Sequence, residues 1–139
     1  MSAQQNTDVV KRGYAAFDRG DIEELLDLLA DDIEWTTPSV EGMPYGGKHK
    51  GRAEVGGFFK SLSQAEDVLE FTQENFIAQD DKVAVTGRYR AKVKSTGRII
   101  DTPFVHVFDI SEGKVRGFVE HLDTAAIADA YRQRGSATA

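Results

Sequence analysis

Apolar positions change their period part-way along the chain. Val10, Tyr14 and Phe17 fall at i, i+4 and i+7, one face of a helix, and Gly20 in "RGD" takes the terminating role. Asp21 is placed to cap a second helix, with Glu24 three residues on as in a capping box, and Ile22, Leu25, Leu26 and Leu29 form its buried stripe. "DDIEWTTP" predicts a short strand closed by Pro38. From Ser39 to Gly51 the composition is that of a loop, with four glycines and a proline in "SVEGMPYGGKHKG". A third helix then turns Val55, Phe58, Phe59 and Leu62 inward.

Beyond it the period becomes two. "VLEFTQENFIA", "KVAVTGRYRAKV", "RIIDTPFVHVFDI" and "KVRGFVEHL" predict four strands, and the tight turns "QDDK" and "SEGK" suit antiparallel neighbours. "TAAIADAYRQR" predicts a last helix. Helices followed by a run of strands imply an α+β fold, with helices packed on one face of a curved antiparallel sheet. The 139 residues suit a single domain, 1–139, with an ordered core over about 6–132 and a frayed tail "RGSATA".

Composition narrows the functional classes. There is no cysteine, which excludes disulfide and thiol chemistry and suits a reducing cytoplasm. A net charge of −6 argues against a nucleic acid or an anionic membrane as partner. Arg88, Arg90, Lys92, Lys94 and Arg98 are separated by alternation, which makes them a solvated strand face. No window approaches the roughly 18 apolar residues of a membrane span, so the expected location is cytoplasmic. "GMPYGG" is not a phosphate loop and no G-x-G-x-x-G follows a strand, so no cofactor is expected.

"VVKRGYAAFDRGDIEELLDLLADDIEW", "GRAEVGGFF" and "HVFDISEGKVRGFVEHLDTAAI" together resemble the SnoaL-like branch of the NTF2-like superfamily, which includes ketosteroid isomerases, limonene-epoxide hydrolases and polyketide cyclases. The resemblance implies a cone: a bent sheet wrapped around helices, an apolar cavity entered from the open end, and a homodimer. It does not carry a ketosteroid isomerase activity with it. The base position of those enzymes falls here on Thr37, the oxyanion tyrosine on Gly13 and the protonated acid on Val105, none of which can fill its role. In the epoxide hydrolases the arginine position falls on Gly87 and its neighbouring acid on Tyr89, a guessed proton donor, while the remaining carboxylate falls on Glu120.

Alternation decides which side chains of "GFVEHLDTAAI" act together. Phe118, Glu120 and Leu122 share one face of the last strand; Val119, His121 and Asp123 share the other. Val83, Val85, Gly87, Tyr89 and Ala91 form a matching apolar face, and the resemblance places the Val85 and Phe118 faces on the cavity. Glu120 is therefore the candidate general acid or base. Tyr14, Trp35, Thr37, Phe59, Val85, Tyr89, Val105, Phe118 and Leu122 are the candidate substrate-binding residues. Desolvation would raise the pKa of Glu120 toward neutrality. The alternative is a structural glutamate bonded to a hydroxyl, amide or buried water, with Trp35 Nε1 and Tyr14 as nearby partners.

Asp123 is placed to cap the final helix together with Thr124. His106 and His121 are expected on the outer face, too few for a metal site, and His49 in the glycine-rich loop, exposed or acting as a lid. Three functions follow. The first is a pocket for a small apolar or polyketide-like molecule, with cofactor-free isomerisation, hydration or cyclisation at Glu120. The second is ligand binding without turnover. The third is a dimerisation module that uses the outer face of the sheet.

Overall fold

Helix α1 (Ala3–Asp18) begins at Ser2, whose hydroxyl accepts from Gln5 N while the Gln5 side chain returns to the Ser2 amide, a complete capping box. It ends at Gly20, which takes a positive φ of 75°. Asp21 then caps α2 (Ile22–Asp27) through a hydrogen bond from Glu24 N at 3.1 Å. The computed structural model describes residues 2–133, so the predicted tail "RGSATA" lies outside the described residues.

Strand β1 (Leu29–Thr37) takes over immediately, so Leu29 is buried from a strand and not from the helical stripe. The segment expected to be loop contains a short strand, β2 (Gly47–Lys50), paired with β1. Helix α3 (Gly51–Ala65) buries Val55, Phe58 and Phe59. Four long strands follow: β3 (Glu66–Gln79), β4 (Lys82–Val93), β5 (Ile99–Ser111) and β6 (Lys114–Leu122). Helix α4 (Thr124–Tyr131) comes last among the described residues. The turn between β5 and β6 has positive φ at both Glu112 (53°) and Gly113 (78°), the conformation a two-residue hairpin needs to match strand twist.

The strands form one open, curved sheet in the order β2-β1-β6-β5-β4-β3. Neighbours are antiparallel except β1 and β6, which run parallel, making the sheet mixed. Register breaks between Val68 and Glu70 and between Gln73 and Asn75 bend β3 over the helices. Gly87, opposite this second break, has no space for a side chain: a Cβ there would lie 1.9 Å from Thr72 O and 2.6 Å from a Phe104 ring atom. No arginine could occupy that position, which removes the epoxide-hydrolase arrangement on steric grounds.

Candidate active site

Helices α1, α2 and α3 pack on the concave face of the sheet, and between them lies a cavity of about 820 Å³ of empty space including its mouth. Aromatic and aliphatic side chains from both layers line it. Trp35 on β1 sits opposite Phe118 on β6 and stacks on it at 3.8 Å, because the parallel β1–β6 pairing puts the two on one face. Tyr14, Trp35, Phe59, Tyr89, Phe118, Glu120 and Leu122 all border the cavity, as the sequence placed them.

Three of the candidate residues sit elsewhere. Val105 is 37% exposed on the outer face of the sheet and cannot meet a ligand inside. Thr37 is buried but touches Glu120 and not the cavity. Val85 is fully buried on the inner side, directly opposite His106, without forming part of the wall.

The error at Val105 has a partner at His106, which was expected outside and is found inside, 4% exposed. The reason is register. In the antiparallel β5–β6 pair His106 lies opposite Glu120 and Val105 opposite His121, and opposed residues share a face. Thr102, Phe104, His106, Phe108 and Ile110 therefore all point inward. His121 alone of the two histidines is exposed on the outer face. His49 was also misplaced: it belongs to β2, where its Nε2 meets Tyr45 O at 3.0 Å and its ring packs edge-on against Phe58.

These placements build a continuous polar chain in an apolar wall. Thr37 Oγ1 donates to Glu120 Oε1 at 2.6 Å. Glu120 Oε2 lies 2.7 Å from His106 Nε2, and His106 Nδ1 lies 2.7 Å from the Tyr14 hydroxyl. A carboxylate only accepts, so the Nε2 hydrogen belongs to the imidazole, and in the neutral ring Nδ1 then accepts from Tyr14.

Burial by itself pushes the Glu120 carboxyl up, but hydrogen bonds from His106 and Thr37 and the nearby histidine charges outweigh it and hold the carboxyl below its ordinary range. That reverses the sequence expectation of a raised pKa. It also identifies the partners of Glu120, which are neither Trp35 nor Tyr14: Trp35 Nε1 is buried without a partner. The Tyr14 hydroxyl is pushed up by burial and by the negative charge of Glu120, so it stays protonated.

A second polar cluster escaped the sequence reading. Glu66, only 3% exposed at the start of β3, accepts from the hydroxyls of Tyr45 and Tyr89, each at 2.5 Å, and from that of Tyr131. Three of the chain's four tyrosines meet there. Burial first raises all three hydroxyls above their ordinary pKa, and Glu66 adds to it, through its charge next at Tyr45 and Tyr89 and through the hydrogen bond next at Tyr131. Tyr89 therefore has its hydrogen committed to Glu66, which corrects the expectation of a proton donor there. Nothing in "SQAEDVLEF" distinguishes Glu66 from its acidic neighbours; only the convergence of a loop, two strands and the last helix does.

Asp123 does what the sequence assigned it: its side chain accepts from Ala126 N at 3.1 Å and caps α4. Among the described residues no three histidine, aspartate or glutamate side chains gather in a group that could hold a metal. Among the described residues no helix is long and apolar enough to cross a membrane.

Comparison with known proteins agrees with this architecture. An NTF2-like protein from Burkholderia xenovorans LB400 shares 34% identity, covering 95% of this chain and 99% of its own, and superposes with a TM-score of 0.87. TerC, crystallised with polyporic acid, shares 27% identity over 93% of this chain and 99% of its own, with a TM-score of 0.79. An uncharacterised protein of Mycobacterium tuberculosis is 27% identical over 128 residues, 91% of this chain and 95% of that protein. The family model of the SnoaL-like domain matches residues 10–118, and the chain belongs to the SnoaL-like family.

Proposed function

We propose that the protein binds a cyclic, largely apolar small molecule in the cavity and moves a proton on it without a cofactor. The observation that carries this reading is the chain Tyr14–His106–Glu120–Thr37 in a wall otherwise made of aromatic and aliphatic side chains. A ligand hydrogen, acidic because it lies next to a carbonyl, passes to the Tyr14 oxygen as the Tyr14 hydrogen passes to His106 Nδ1. The imidazolium so formed faces the Glu120 carboxylate, and Thr37 keeps that carboxylate in place. Reversal returns the proton to a different ligand atom, which is an isomerisation, or completes a cyclisation. The co-crystal of TerC with polyporic acid supports a small cyclic ligand for the same fold. The homodimer implied by the family is assigned to the outer sheet face, where Ile77, Val105 and Val119 are exposed. Sedimentation of the purified chain at twice the monomer mass is the expected result.

The test of the reaction is deuterium exchange at the carbon beside the carbonyl of 2-tetralone, followed by NMR in heavy water. General acid–base groups contribute about 10²- to 10⁴-fold, so Glu120→Gln and His106→Asn should each slow the exchange by at least about 10²-fold. Exchange at equal rates in wild type and variants overturns the proposal. Binding of 2-tetralone without any exchange would leave a ligand-binding protein with no turnover.

A further inference from the structure

The Glu66 cluster lies on the same cavity, yet the proton-transfer chain does not use it. Tyr45 and Tyr89 border the cavity; Glu66 and Tyr131 stand behind them and do not. The hydroxyls of both tyrosines donate to the Glu66 carboxylate. Each tyrosine oxygen has one hydrogen and two lone pairs. With the hydrogen turned back to Glu66, all that either hydroxyl has left to offer a ligand is its lone pairs. Donation to a carboxylate also leaves the phenol oxygen a better acceptor, since hydrogen bonds in a chain polarise one another.

We propose that Tyr45 and Tyr89, held by Glu66, form a ligand-reading pole that accepts a hydrogen bond from a hydroxyl of the bound molecule, so that the cavity selects cyclic ligands carrying a phenol or enol hydroxyl. The proposal shares the cavity of the preceding section but not its chemistry. A carbonyl or ether oxygen at this pole would face lone pairs, and a carboxylate would also face the Glu66 charge. Either would lose its hydration and gain no partner, which is how sites built around hydrogen bonds reject close analogues.

The shape of the pole fits that role. Tyr89 projects from a central strand, Tyr45 from the segment before β2, and Tyr131 from α4, so three elements hold one carboxylate in place. The acceptor oxygens are thereby positioned before any ligand arrives, and little ordering is left to be done on binding.

The experiment compares two probes of one shape: 2-naphthol, which carries the hydroxyl, and 2-methoxynaphthalene, in which the hydrogen is replaced by methyl. Dissociation constants are measured by ligand fluorescence for wild type, Tyr45→Phe and Tyr89→Phe. The readout is the ratio of the two constants within each protein. Any loss of folding acts on both probes equally and cancels. Wild type should prefer 2-naphthol by about tenfold, the order expected for one good hydrogen bond. The preference should fall to about twofold or less in at least one tyrosine variant. Equal affinities in wild type, or no binding of 2-naphthol, overturn the proposal. So does a preference that survives in both variants, because the hydroxyl would then be read elsewhere in the cavity. Neither probe is required to react, so the outcome is independent of whether 2-tetralone exchanges.

Discussion

Glu120→Gln separates a strained catalytic carboxylate from a well-partnered one, because the two predict opposite signs. A desolvated, unpaired glutamate would penalise folding, and the amide would melt higher. The observed Glu120 accepts from Thr37 at 2.6 Å and from His106 at 2.7 Å, with its side chain only 16% exposed. Hydrogen bonds to a charged group contribute about 1 kcal/mol more than neutral ones. The amide keeps one accepting oxygen, so one bond becomes neutral and the other survives only if its partner turns to accept from the NH2, a loss of roughly 2 kcal/mol. For a chain of this size that lowers the melting temperature by about 6 °C at pH 7.5. The pH dependence has a definite direction. The carboxyl is held below its ordinary value of 4.5, so its stabilisation is complete above that value and is lost as pH falls through the folded pKa. The amide does not titrate. At pH 3.5 the gap between the proteins should therefore shrink by up to about 1.4 kcal/mol. Differential scanning calorimetry at both pH values provides the check. A variant that melts higher at pH 7.5, or a gap that widens on acidification, refutes the reasoning.

Tyr14→Phe removes the hydroxyl bonded to His106 Nδ1 and leaves a buried ring nitrogen without its partner. It should cost about 1–2 kcal/mol in urea unfolding, and an unchanged midpoint would mean that the bond contributes nothing. Gly87→Ala drives a methyl group into Thr72 O and the Phe104 ring, and should lower stability by about 3 kcal/mol in the same assay. Asp123→Ala removes the hydrogen bond to Ala126 N and should cost about 1 kcal/mol, read as a lower thermal midpoint with the cavity residues intact.

How far the sequence carries depends on which kind of signal a residue gives. Period reports elements well: β4 and β6 have the ends that alternation predicts, because turn residues stop them on both sides. It also puts Phe118, Glu120 and Leu122 on the correct face. It does not settle β5, where the family resemblance sets Val105 inside and the structure exposes it. The strand's own pattern was the better guide. Phe104, His106 and Phe108 alternate with Val105 and Val107, and a large aromatic series belongs in a wide concave core, while valine is tolerated on either face. One residue of phase moved the imidazole from the surface to the centre of the site.

Glu66 marks a harder limit. Its burial depends on hydroxyls that are 21, 23 and 65 positions away, and no local period encodes a meeting of that kind. The same holds for the partners of Glu120, which come from β1 and β5. Alternation can say that a carboxylate faces the core. Whether burial raises its pKa or its neighbours lower it is settled by the donors that tertiary packing brings within 3 Å of it. Here those donors reverse the expected sign, and they change the chemistry to be looked for: in the proposed relay Glu120 is the charged end, acting through His106, and Tyr14 is the group that would meet the ligand.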